Sequence, residues 1–291
     1  MKPKSHRDTI LVEDGKVLTH DSYLGNQYIL WLAAPNIAAR ATPGSFAHLQ
    51  CDPNLPMRRP LSIMRANAKQ GWIEFLYKAT GHGLQLLSQK TAGEIISIIG
   101  PIGQPFKLDP AYPRPLLIGG GVGIPPMIFL ADTLRQDSHF KPLVLMGSEV
   151  PFPFQQKPSQ FLIPGLPDGV IGAMPLLENW KIPSRLASLQ GYPGCFEGFI
   201  TDLARHWLLT LSPAQRQEIA LYACGPHPML QATTKLAREF DLPCQISLEE
   251  FMACAVGGCA GCVVKIQTAQ GPAMKRVCVD GPVFDAKTVF I

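Results

Sequence analysis

Between Thr9 and about Leu108 the apolar residues come in short runs rather than at helical spacing. YILWLAA (28–34), FAHLQC (46–51), PLSIMRA (60–66), WIEFLYKA (72–79) and EIISIIG (94–100) are separated by turn pairs such as Pro43-Gly44, Gln70-Gly71 and Ala92-Gly93. Runs of strand length, divided by turn residues, predict a small antiparallel β-barrel with one helix over 83–89.

The pattern changes at Tyr112. PLLIGGG is a buried strand running into glycines, and PPMIFLADTLRQ follows as a helix with proline in its first positions. PLVLMG (142–147) and IALYACG (219–225) are further apolar runs suited to parallel strands. A helix is expected from Thr201, a short capped helix from Ser212-Pro213 with Gln215, and a longer one over 227–240 with Met229, Leu230, Thr233, Leu236, Ala237 and Phe240 on one face. Strands alternating with helices predict a parallel sheet. From Glu149 to Gly198 the pattern dissolves into proline-rich sequence that assigns no elements. The expected organisation is thus a barrel over 1–110, an α/β domain over 111–243 and a small C-terminal segment over 244–291.

The chain of 291 residues has room for two domains and an appendage. It is 46% hydrophobic and only 16% charged, a lean surface that suits one partly covered by a partner. The net charge of +4 is dispersed, with no run of basic residues, which argues against nucleic acid as the partner. Its start carries a little basic charge with no apolar stretch behind it, so it does not read as a secretory leader. The longest apolar run, Leu116 to Ala131, is broken by glycines and prolines and is not a membrane span. Eight cysteines without an export signal point to a reducing cytoplasm and to metal-type use of thiols.

The sharpest chemical signal is four cysteines near the C-terminus. Cys254, Cys259 and Cys262 follow C-x4-C-x2-C, and Cys278 comes fifteen intervening residues later. That is the plant-type spacing of four thiolates around a [2Fe–2S] cluster. Gly257, Gly258, Ala260 and Gly261 are small enough for a loop whose N–H groups point at sulfur. The competing readings are a structural zinc, paired disulfides and ordinary buried cysteines. Zinc usually shows two C-x2-C pairs or histidine partners, and this stretch has one pair and no histidine after His227.

Three other constellations are suited to phosphate or nucleotide. Arg59-Pro60-Leu61-Ser62 puts a guanidinium fork and a hydroxyl on one strand, where both can address a diphosphate; an ordinary surface arginine is the alternative. Thr80-Gly81-His82-Gly83 ends a strand and opens a helix, a position that attracts phosphate. Gly119-Gly120-Gly121-Val122-Gly123 joins a strand to a helix but has Ile124 where G-x-G-x-x-G needs its last glycine. A glycine-dense turn at the carboxyl edge of a parallel sheet is still the expected ligand position, with a purely structural turn as the alternative. Cys224-Gly225-Pro226 ends the last apolar strand at the same edge. It is either a strand–turn–helix joint or a small soft side chain placed for a nicotinamide ring. No Ser/His/Asp triad or carboxylate pair stands out, and His48, His82 and His227 read as structural or solvent-facing.

Taken in order, PGSFAHL, RRPLSI, YKATGHG, GPIGQPF, GGGVGIPP, CGPHPM, the four cysteines and DGPVF resemble the ferredoxin–NADP reductase superfamily over essentially the whole chain. More narrowly, they resemble the electron-transfer subunits of the NAD-dependent, heterodimeric dihydroorotate dehydrogenases. The resemblance implies an FAD-binding barrel, an NAD(P)H-binding α/β domain and a [2Fe–2S] segment serving an FMN-containing dehydrogenase partner in a heterotetramer, in pyrimidine biosynthesis. It places Arg59 to Ser62 on the flavin diphosphate and ribityl, Tyr77-Lys78-Ala79 along the isoalloxazine, Gly83-Leu84 over the diphosphate, and Cys224 at the nicotinamide as the catalytic-site residue. Leu84 stands where the family usually has a hydroxyl residue. The stretch 151–194 is longer and richer in proline than the family leads one to expect. It offers no clear acidic ribose ligand, and Arg185 there could meet a 2′-phosphate. The rival readings are a similar reductase subunit feeding a hydrogenase, a ferredoxin-linked transhydrogenase or an oxygenase, and a zinc-binding scaffold without redox chemistry.

Overall fold

The structure, a computed structural model, describes residues 10–290, so Thr9 and the charged start of the chain lie outside the described residues. The chain divides into two compact units. One runs to Phe106 and adds Ser247–Phe284; the other is Lys107–Ile246 with the residues from Asp285.

In the first unit, β1 (Leu11–Tyr23), β2 (Gln27–Ala33), β3 (Phe46–Leu49), β4 (Arg59–Asn67), β5 (Trp72–Lys78) and β6 (Ile95–Ile102) close into a barrel in the order β1-β2-β5-β4-β3-β6. Every pairing is antiparallel. Closure leaves no sheet edge unpaired. Leu30, Leu32, Leu49, Ile63, Ile73, Phe75 and Ile98 fill its core, each at zero exposure. A one-turn helix α1 (Pro35–Ala38) follows β2, and α2 (Gly81–Leu87) follows β5. The long first strand is the element that the sequence pattern did not show. Asp14-Gly15 looks like a turn, but Gly15 lies mid-strand because a Cβ there would stand 2.5 Å from Ile98 Cδ1.

The second unit is a mixed sheet. In chain order it contains β7 (Leu116–Gly120), α3 (Ile124–Leu134), β8 (Leu143–Gly147), a small hairpin of β9 (Lys157–Pro158) and β10 (Gly172–Ala173), α4 (Pro175–Asn179), β11 (Ser184–Ser188) and β12 (Phe196–Glu197). Then come α5 (Ile200–Thr210), α6 (Pro213–Arg216), β13 (Leu221–Cys224), α7 (His227–Glu239) and β14 (Cys244–Ser247). After the cysteine loop the chain forms β15 (Val263–Thr268), β16 (Gly271–Arg276), α8 (Val277–Asp280), β17 (Val283–Asp285) and α9 (Ala286–Val289).

The large sheet runs β12-β11-β8-β7-β13-β14-β17, with parallel pairing of β7 to both β8 and β13. From β7 the chain therefore builds outward through β8, β11 and β12, then returns to the other side of β7 as β13. That reversal is a topological switch point, and open α/β sheets bind ligands beside it. Ser212 makes the capping box with Gln215 that the sequence predicts. The proline-rich stretch holds α4 and β11, so Ser184-Arg185-Leu186-Ala187-Ser188 is a fully buried strand that its polar residues disguised.

Candidate functional site

On the barrel, Arg59 begins β4, half-buried, and donates from Nη1 to the carbonyls of Met57 (2.9 Å) and Arg58 (3.1 Å). Those bonds fix the guanidinium plane. The rest of it lies over α2, where a Cβ on Gly83 would come within 2.9 Å of Nε and 3.1 Å of Nη2. A side chain at Gly83 would thus push the Arg59 guanidinium from this position. Ser62 and Pro60 are half-buried and face Phe46 and His48 across the β3–β4 ladder, whereas Leu61 is 7% exposed and belongs to the core. Leu84 is half-buried beside Gly83.

Tyr77, 1% exposed, stacks on its cross-strand partner Tyr28 with ring centroids 5.5 Å apart. His20 Nδ1 lies 2.7 Å from the Lys90 carbonyl, and Nε2 lies 2.8 Å from the Tyr77 hydroxyl. A carbonyl only accepts, so in the neutral ring Nδ1 carries the proton and Nε2 accepts from the phenol. Burial, then Tyr28 and Cys51, pushes the Tyr77 phenol above its ordinary value, keeping it a neutral donor. Lys78 is half-buried and Ala79 buried, so any face offered by 77–79 beyond the Tyr77 ring is largely backbone. The Tyr77–His20 bond was invisible in the sequence because β1 was.

At the switch point the glycines separate by role. A Cβ on Gly119 would sit 3.0 Å from Ile124 Cα, on Gly120 2.5 Å from Met229 Sδ, and on Gly123 2.2 Å from the Cys224 carbonyl oxygen. Backbone contact therefore forbids a side chain at Gly123 and crowds one at Gly119, whereas Gly120 opposes the movable end of Met229. Gly121 differs: its φ is +54° and a Cβ there would meet nothing within 4 Å. It is the glycine of this turn that faces open space. Cys224 is fully buried at the end of β13, Gly225 packs on Met229, and Pro226 caps α7.

Arg185 is only 4% exposed, and its guanidinium donates to three carbonyls, those of Val170 (2.9 Å), Ser184 (2.7 Å) and Phe161 (2.6 Å). It ties the proline-rich stretch to β11. The expectation that it could reach a 2′-phosphate is corrected by this geometry.

The four cysteines arrive as two pairs. Cys262 and Cys278 are buried with their sulfurs 3.3 Å apart. Cys254 Sγ accepts N–H bonds from Gly258 (3.3 Å) and Cys259 (3.4 Å), and the Cys259 thiol also meets it. Cys259 Sγ in turn accepts from the Gly261 N–H at 3.4 Å. Ala255, Gly257 and Ala260 take positive φ, which turns the loop so that successive N–H groups face sulfur. Burial pushes the Cys254 thiol up, but the N–H groups of Cys259, Val256 and Gly258 outweigh it and bring it down to about 7. Burial, then the neighbouring Cys262, pushes Cys278 up to about 12. All eight cysteines are free of disulfides, and no three His, Cys, Asp or Glu side chains among the described residues converge to hold one metal ion.

His48 is 1% exposed, and neither ring nitrogen makes a hydrogen bond of normal geometry. Burial, then the Arg58 charge, lowers it to about 4, more than the backbone at Met252 offsets. It is a neutral core residue.

A flavin-reductase-type barrel, a switch-point α/β sheet and a four-cysteine loop together define a reductase fold carrying an iron–sulfur domain. Comparison with known proteins agrees. Residues 249–290 match the family model of the iron-sulfur cluster binding domain of dihydroorotate dehydrogenase B. The dihydroorotate dehydrogenase B (NAD(+)) electron transfer subunit of Geobacillus sp. (strain WCH70) is 33% identical over 287 residues, 96% of this chain and 98% of its own. That of Bacillus caldolyticus is 35% identical over 273 residues, 91% and 93% of the two chains. The chain belongs to the family of dihydroorotate dehydrogenase B (NAD(+)) electron transfer subunits. Among solved structures, that of an NADH-dependent reduced ferredoxin-NADP oxidoreductase superposes with TM-score 0.76 at 23% identity, covering 94% of this chain and 89% of the other. A ferredoxin reductase in carbazole 1,9a-dioxygenase superposes at 0.62 and 19% identity, covering 80% and 67%. Both share the fold. No helix among the described residues is long and apolar enough to cross a membrane.

Proposed function

We propose that this chain passes electrons between NAD(H), as hydride at a barrel-bound FAD, and an FMN-containing dihydroorotate dehydrogenase subunit, singly through a [2Fe–2S] cluster, in a cytoplasmic heterotetramer. The observation that carries the reading is the grouping of thiols two by two. Two irons held by two cysteines each need that grouping. Cys254 and Cys259 would hold one iron, Cys262 and Cys278 the other. When bound, the flavin and cluster supply the two-electron and one-electron chemistry respectively.

The chain's own residues do the positioning. Arg59, fixed by its two backbone carbonyls, would grip the flavin diphosphate with Ser62 beside it, and Gly83 keeps the guanidinium close to α2. Pro60 and Leu61 hold that strand in place, and Gly83-Leu84 closes over it. Tyr77, held by His20, backs the strand from which Lys78 and Ala79 would face the isoalloxazine. Gly121 would open the switch point to the pyrophosphate, while Gly119, Gly120, Gly123, Gly225 and Pro226 shape the turn around it. Cys224, buried at the end of β13, would support the turn beside the nicotinamide from beneath. Commitment of Arg185 to carbonyls leaves it unable to pair a 2′-phosphate, which supports NADH over NADPH. Phe251, 95% exposed, and Val256, 41% exposed, flank the outer cysteines and support the partner docking there.

The test is the visible and EPR spectrum of anaerobically purified protein before and after NADH. Flavin bands with an iron–sulfur shoulder, about two irons per chain, and bleaching by NADH are expected. A colourless protein with one zinc per chain would sink the reading.

A further inference from the structure

The cysteine segment and the barrel lie in one compact unit, and the two residues that follow β6 tie them together. Gln104 donates its backbone N–H to the Gly281 carbonyl at 2.6 Å and its side-chain Nε2 to the Val279 carbonyl at 3.3 Å. It also pairs with Pro282 as an isolated parallel bridge. Gly103 makes the approach possible: at φ +103°, a Cβ there would lie 2.4 Å from Pro282 Cδ. Val279 is the residue after Cys278, in the buried turn α8. On its other side the same turn is tied to the cysteine loop. The Val277 N–H donates to the Cys262 carbonyl at 3.0 Å, and Arg276 Nη1 donates to the Gly257 carbonyl at 3.0 Å.

The tether continues into the barrel. Ser62 faces Phe46 across β4–β3, and Phe46 faces Ile102 across β3–β6. Ser62 and Ile102 are therefore two strand spacings apart, roughly 10 Å. A ladder of cross-strand partners thus runs from the proposed flavin strand to Ile102, then through Gly103 and Gln104 to the carbonyl next to Cys278.

We propose that Gln104 is a positioning residue for electron transfer: its side-chain amide holds the Cys278 turn on the barrel and so fixes the buried thiol pair relative to the flavin strand. This rests on the assignment of Cys278 as a cluster ligand. The loop of the outer pair, Cys254 and Cys259, is bonded within itself, to Arg276 and, through the Gly257 N–H, to the Cys278 thiol, so it hangs on the turn that Gln104 holds. Holding the Cys278 turn on the barrel thereby also holds the loop that carries the outer pair. Each transfer takes one electron from the reduced flavin and delivers one to the cluster, so two transfers clear the electrons of one hydride.

The test uses the holoprotein carrying Gln104→Met, which keeps side-chain length and packing but removes the donor; the backbone bond to Gly281 remains. Flavin reduction by NADH, followed by stopped flow, should stay within about twofold of the parent. Amide exchange over 277–281 should quicken about fivefold, the scale of one lost hydrogen bond. Arrival of the electron at the cluster, followed by freeze-quench EPR, should slow several-fold, with a broadened cluster signal. Loss of iron with intact flavin reduction would support the same role in a stronger form. Unchanged exchange and unchanged cluster reduction in an iron-loaded variant would overturn it. A parent protein that holds no iron would instead remove the cluster assignment itself, so the two failures are distinguishable.

Discussion

A Cβ placed on Gly83 would stand 2.9 Å from Arg59 Nε and 3.1 Å from its Cζ, which makes the glycine of a short helix part of the arginine's binding geometry. Gly83→Ala should therefore displace the guanidinium. Alanine is the better helix former by about 1 kcal/mol, so the fold should tolerate the change. Lost charge-assisted contact predicts FAD binding weaker by roughly 10–100-fold, read from flavin release on dilution. Unchanged FAD affinity would remove Arg59 from the flavin site.

The two switch-point glycines should fail differently. Gly121→Ala strains a left-handed residue by about 1–2 kcal/mol with space around it, so the protein should fold, with a raised KM for NADH. Gly123→Ala drives a Cβ to 2.2 Å from the Cys224 carbonyl and should prevent accumulation of folded protein. Equal behaviour of the two variants would contradict the separation of roles.

In cluster-free protein, thiol alkylation should follow exposure and acidity. Cys254, brought down to about 7 by loop N–H groups, and exposed Cys259 should react first. Cys51, which burial pushes up to about 11, and fully buried Cys244, also raised by burial, should be protected until unfolding. Loading iron should then shield Cys254 and Cys259. Mass spectrometry of labelled peptides reads the order.

His48 gives an acid-side dependence of stability. The folded ring titrates at about 4 and the unfolded one at 6.5, so between those values the unfolded chain binds a proton that the folded chain refuses. Stability from the neutral ring is complete above 6.5 and is lost as pH falls toward 4. From pH 7.5 to pH 5 the parent should lose about 2 kcal/mol more than His48→Leu. Parallel urea-unfolding curves for the two proteins at both pH values would refute it.

Arg185→Met should destabilise rather than alter cofactor choice. It strands the buried carbonyls of Val170 and Ser184 and the part-buried one of Phe161, at a cost of about 2–4 kcal/mol. The NADH to NADPH ratio of kcat/KM should not move; a shift toward either cofactor would restore Arg185 to the nucleotide site.

Local pattern determined a good deal of this protein. Turn-bounded strand runs specified β2 through β6, Ser212 and Gln215 specified a cap, and cysteine spacing specified the cluster loop, because each depends on residues a few positions apart. It misled where a residue answers to a distant neighbour. Asp14-Gly15 resembles a turn, but Ile98 from another strand makes Gly15 a mid-strand glycine. Arg185 resembles a free charge, but carbonyls 15 and 24 residues earlier take its donors. Four clustered glycines look alike in sequence, and only tertiary contact separates Gly123, which the Cys224 carbonyl requires, from Gly121, which faces open space. Spacing gave four thiols; the pairing of Cys254 with Cys259 and Cys262 with Cys278, and the Gln104 tether to the barrel, came from tertiary structure. Such contacts join residues up to 175 positions apart, and no local periodicity encodes them.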